Sequence, residues 1–125
     1  LLLAGLMPAA LPACQPQETP MRDELRHEGV ETLALSDDIV SVTVRMSGPA
    51  APGDVIAYAR CGMAGYAVAE GFGFARHVRT NMQVEGGVRI ADAVYTLSPT
   101  RPRGLQTIEA EATLADCAEQ GIPTV

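Results

Sequence analysis

Between Asp54 and Gly71 only Arg60 and Glu70 carry charge. Asp54 suits a helix N-cap, because its carboxylate accepts an orphan backbone N–H and meets the positive end of the helix dipole. Gly71 suits the left-handed position that ends a helix. The spacing predicts a helix from about Val55 to Glu70. Ile56, Ala59, Met63 and Ala67 fall on one stripe, and Ala57, Cys61, Ala64 and Val68 on another. A helix this apolar is covered on more than one side. Gly62 and Gly65 each cost about 1 kcal/mol in helix propensity, which makes sense where another backbone passes close by. One sheet is therefore not enough cover. The C-terminal tail or a partner chain must lie on the far side.

Around this helix the chain reads as strands. Val30–Leu35 and Ile39–Ser47 form a hairpin through Ser36-Asp37-Asp38. Val40, Val42, Val44 and Met46 alternate with Ser41, Thr43 and Arg45, the period of a strand with one wet face. Gly48–Gly53 breaks the pattern with glycine and proline. Phe72–Thr80 and Val88–Leu97 read as antiparallel strands around a turn region, Asn81–Gly87. Ser98–Gly104 reads as an exposed loop. Thr107–Leu114 reads as a last strand with Ile108, Ala110, Ala112 and Leu114 inward, and Ala115–Gln120 as one helical turn. The expected fold is α+β, one helix packed on a mostly antiparallel sheet, in the order β-β-α-β-β-β.

The opening run Leu1–Ala13 is apolar and contains Pro8 and Pro12. It is too short to span a bilayer, which takes about 20 residues, but has the length of a signal-peptide core. It lacks an initial Met and a basic segment, and reads as a signal peptide with a truncated start. Its end, Leu11-Pro12-Ala13-Cys14, resembles the bacterial lipobox, with Pro12 where Ala, Ser or Thr is usual. The resemblance implies cleavage before Cys14 and lipid on its sulfur; Gln15 after it is compatible with outer-membrane sorting. An ordinary secretory peptide with a free Cys14 is the alternative. Residues 14–29 are polar, carry two prolines and read as a tether, with His27 solvated among charges. Residues 30–125 form the single domain.

The chain has three cysteines. With Cys14 set aside, Cys61 and Cys117 are an even pair in an oxidising compartment. Bridging them would stabilise the fold by about 4 kcal/mol in the chain-entropy account. It would also draw residues 115–119 over the middle of the helix, supplying the missing cover. Two separate buried cysteines are the alternative.

Gly29-Val-Glu-Thr-Leu, Tyr58-Ala-Arg-Cys-Gly-Met-Ala-Gly-Tyr and Glu70-Gly-Phe-Gly-Phe give residues 29–80 a pattern that resembles a family of uncharacterised small bacterial envelope lipoproteins. The resemblance implies a periplasmic-side address at a membrane and brings no activity with it.

Net charge is −6, which argues against nucleic acid or an anionic membrane surface as partner. Arg76, His77, Arg79 and Arg89 lie on two adjacent expected strands, with Arg101 and Arg103 in the following loop. They read either as an anion patch, for a lipid headgroup, a lipopolysaccharide phosphate or an acidic partner, or as a solvated face paired with Glu85, Glu109 and Glu111. His27, His77 and the carboxylates show no metal-ligand spacing, and no cofactor is expected. Cys61 and His77 superficially resemble a papain-type pair. Cys61, however, sits two turns into the helix, where an activating N-terminal dipole is absent. The expectation is a non-catalytic envelope lipoprotein, anchored by lipid on the periplasmic side of the outer membrane and serving a structural or protein-interaction role with an envelope partner. A binding module using the arginine-bearing strands is the rival, and a Cys/His hydrolase a distant third. Oligomeric state is open.

Overall fold

A computed structural model describes residues 24–104 and 106–125. Cys14, the expected signal peptide and most of the expected tether lie outside the described residues. The elements are β1 (Arg26–Ser36), β2 (Ile39–Ser47), α1 (Pro52–Ala69), β3 (Phe74–Glu85), β4 (Val88–Ser98), β5 (Ile108–Glu109) and α2 (Ala110–Gln120). The strands form one sheet in the order β1-β2-β4-β3-β5, and every neighbouring pair is antiparallel.

Alternation along β2 builds the core. Val40, Val42, Val44 and Met46 are fully buried beneath α1 and join Ala91, Ala93, Tyr95 and Leu97 of β4 in one cluster. From α1 the cluster takes Val55, Tyr58, Ala59, Met63 and Ala67. Ile56, expected on one apolar stripe with Ala59, Met63 and Ala67, is 46% exposed; the buried stripe is rotated toward Val55 and Tyr58. Gly62 lets the helix settle on the sheet, since a Cβ there would lie 2.7 Å from Val30 Cγ1 and 3.1 Å from Val42 Cγ1. Cys61 and Ala64 are buried on another side of α1. Cys61 Sγ lies 2.01 Å from Cys117 Sγ in α2, with the Cα atoms 5.9 Å apart. At Gly65 an added Cβ would be 3.1 Å from Thr124 Cβ, so α2 and the tail beyond it cover the side of α1 away from the sheet.

The expected fold needs correction. There are two helices, and the order is β-β-α-β-β-β-α with a fifth strand of two residues. Of the strand expected at Thr107–Leu114, only Ile108–Glu109 pairs with β3. The rest is α2, in which Ala112, expected inward, is exposed while Ala110 and Cys117 are buried. Ala, Glu, Leu and Gln favour helix, and Ala110, Thr113, Leu114 and Cys117 fall at i, i+3, i+4 and i+7, one helical face.

Boundaries also move. β1 starts at Arg26, inside the expected tether, and Arg26 and His27 pair with Ser47 and Met46. His27 is not simply solvated: its ring meets the Tyr58 ring edge-on, centroids 4.6 Å apart. Asp54 is not the N-cap. Pro52 opens α1, where its missing N–H costs nothing, and Asp54 Oδ2 accepts the Ala51 N–H at 2.8 Å. At the other end the Phe72 N–H donates to Ala67 O at 2.8 Å and the Gly71 N–H to Val68 O at 3.2 Å, closing the helix with the paired bonds of a Schellman turn. The expected turn region shrinks to Gly86-Gly87, because Asn81–Glu85 continues β3 alongside β4.

Candidate functional site

The expected patch of Arg76, His77, Arg79 and Arg89 is not assembled. Side chains alternate between faces along a strand, and a bulge between His77 and Arg79 inserts Val78. Arg76 pairs with Thr96 and Arg79 with Val94, on the face away from the helices. His77 pairs with Tyr95, and Arg89 with Val84 and Met46, on the helix side. Without the bulge, Arg79 would share a face with His77. Arg101 is hydrogen-bonded to Glu109, with its guanidinium carbon 5.0 Å from the centre of the Phe74 ring. Arg103 is exposed. Arg45 and Glu31 form a surface pair at 3.7 Å, of little energetic weight.

Arg76 differs from the other arginines. Its Nε and Nη2 are buried with no hydrogen-bond partner, and so is Thr107 Oγ1. Arg76 also lines a depression of about 370 Å³ together with Phe72, Leu97, Pro99, Pro102 and Asp38.

His77 Nε2 lies 2.6 Å from Thr80 Oγ1, and its ring meets Tyr95 at 5.5 Å between centroids. Cys61 has its sulfur against that of Cys117, so a Cys61–His77 nucleophile–base pair is not formed. Burial pushes the Tyr95 phenol up to about 12, with the Arg60 guanidinium pulling the other way. Burial raises Tyr58 as well. Among the described residues, no three His, Cys, Asp or Glu side chains are grouped to hold a metal ion. Among them too, no helix is long and apolar enough to cross a membrane.

The second unusual surface is the outer edge of β3. β5 pairs only with Phe74 and Ala75, so among the described residues nothing pairs with that edge from His77 to Glu85. Val78, Met82 and Val84 are 54%, 40% and 60% exposed there. Sequence reasoning missed this surface by treating Asn81–Gly87 as a turn. The signal was present: Thr80, Met82 and Val84 alternate with Asn81, Gln83 and Glu85. Thr107 carried no such signal.

A family model for the YNQ4 C-terminal domain matches residues 27–121. The chain belongs to the YNQ4 C-terminal domain family. An uncharacterized 26.9 kDa protein from the nqo8 5′ region of Paracoccus denitrificans is 34% identical to it over 102 residues, 77% of this chain. The chain spans 40% of that relative's length. No solved structure matches. The family match begins at His27 and takes in β1 almost whole.

Proposed function

We propose that this domain is a non-catalytic structural component of the bacterial envelope that works by self-association, tethered through lipid on Cys14. The observation that carries the reading is the β3 edge. An unpaired edge offers a row of backbone N–H and C=O groups to another strand. If two copies pair antiparallel about Met82, Arg79 of each falls opposite Glu85 of the other, Thr80 opposite Val84, and Asn81 opposite Gln83. Both ion pairs lie on the face away from the helices, and the two methionines meet on the helix side, where each is half-exposed in the single copy.

Sedimentation of the unlipidated Cys14→Ala chain over a concentration series tests this. The chain should dimerise. Glu85→Arg should weaken the dimer roughly tenfold or more, because two attractive pairs become two like-charge pairs at about 0.2–1 kcal/mol each. Adding Arg79→Glu to Glu85→Arg should restore association. A chain that stays monomeric throughout, or a double swap no better than the single one, would sink the reading.

The tether is tested separately. Cells expressing the chain with its native leader should incorporate labelled palmitate into it, and Cys14→Ala should abolish the label. Equal labelling of both would remove lipidation at Cys14 from the proposal.

A further inference from the structure

We infer that the outer edge of β1 is a second self-association surface, where β1 of one copy pairs antiparallel with β1 of another about Leu33. β1 and β3 lie toward opposite ends of the sheet, so this surface is separate from the β3 edge, and the two stand or fall independently.

β1 pairs with β2 on one side, and among the described residues nothing pairs with its other side. Bulges lie between His27 and Gly29 and between Ala34 and Ser36, and the run between them is in regular register. Natural edge strands are commonly guarded by charge or proline. From Thr32 to Ser36 this edge has neither. Thr32 and Ala34 stand opposite the buried Val42 and Val40. Leu33, opposite Ser41, therefore projects on the face away from the helices. Leu33 is 64% exposed and Leu35 51%.

A second copy suits this edge. Centred on Leu33, an antiparallel pair brings the two Leu33 side chains together. It sets Thr32 opposite Ala34 and Glu31 opposite Leu35. No like charges meet there, although the chain carries −6 overall. Glu31 is the one charge from Val30 to Ser36, and Arg45 of its own copy lies 3.7 Å from it. The helices leave room as well. Of the strands, α1 packs chiefly on β2 and β4. With strands about 4.8 Å apart, the α1 helices of two such copies are at least about 14 Å from each other, beyond the roughly 10–12 Å width of a helix.

The consequence is growth. Two copies paired through β3 leave a β1 edge at each end of a continuous sheet, so pairing at both edges carries the assembly past a dimer. The β1 seam lacks the ion pairs of the β3 seam and forms at higher concentration.

Sedimentation of the oxidised Cys14→Ala chain, at concentrations above those that dimerise it, tests the β1 seam. The chain should grow past the dimer. Leu33→Lys sets two lysines against each other and should weaken this second step roughly tenfold or more, leaving the dimer in place. Leu35→Lys sets each lysine opposite Glu31 of the other copy and should hold or tighten it. Both leucines are more than half exposed, so neither substitution disturbs the core. Raising sodium chloride from about 0.1 M to about 1 M shortens the screening length from about 10 Å to about 3 Å; the β3 dimer should weaken and the Leu33 step should not. Growth that stops at the dimer, or equal weakening by Leu33→Lys and Leu35→Lys, would overturn the β1 seam and leave the β3 pairing intact. A Glu85→Arg chain that still associates, and that Leu33→Lys then renders monomeric, would support the β1 seam even where the β3 pairing fails.

Discussion

Removing the Cys61–Cys117 link is expected to lower the unfolding free energy by about 4 kcal/mol, the chain-entropy value for a loop of this length. The two positions are 56 residues apart, so the unfolded chain gains much freedom when the link is absent. A small domain has only about 5–15 kcal/mol in total, which makes this a large share. Little else holds α2 in place: of its residues only Ala110 and Cys117 are buried. The measurement is urea unfolding of the oxidised chain against Cys61→Ala with Cys117→Ala. Alanine avoids leaving a polar group in an apolar site. Amide exchange in α2 should speed up more than in β2, because α2 can lift away before the core opens. A loss below about 1 kcal/mol would mean that the unfolded loop is already constrained without the link.

Truncating Tyr58 is expected to cost about 3–5 kcal/mol, the range for removing a large aromatic from a core. Tyr58 is 1% exposed and heads the fully buried side chains by volume. The chain has only five aromatic residues and no tryptophan. The rest of the cluster is mostly Ala and Val, with too little side chain to collapse into the space. The ring also supports His27 of β1 edge-on, so Tyr58→Ala should loosen the start of β1 as well as the core. Tyr58→Phe keeps the ring and should cost much less. Thermal or urea unfolding of the two variants separates these outcomes; equal losses would place the contribution in the hydroxyl instead of the ring.

The legible parts of the fold were those with one dominant pattern. β2 could be read because Val40, Val42, Val44 and Met46 are all buried while their neighbours are not. α1 could be read because Gly62 and Gly65 inside so apolar a helix demand close neighbours, and Val30, Val42 and Thr124 are those neighbours. α2 was misread because Ile108, Ala110, Ala112 and Leu114 alternate just long enough to imitate a strand, while Ala110, Thr113, Leu114 and Cys117 suit a helix equally well. The placement of Arg79 was not legible, because the bulge at Val78 moves it from the face of His77 to that of Arg76 and nothing in the residues themselves announces an inserted position.

By itself the sequence determined the α1 stripes, the buried face of β2 and the need for cover on the far side of α1. Each of these is a local periodicity or a local composition, and a chain carries such patterns wherever it folds. Only the tertiary structure decided that β5 begins no earlier than Ile108, leaving most of the β3 edge without a strand among the described residues. It also decided that Gly104 lies against the Arg76 guanidinium. Those juxtapositions join segments about 30 residues apart, and they depend on how strands and helices compete for the same edge and the same face of the sheet, which no local pattern records.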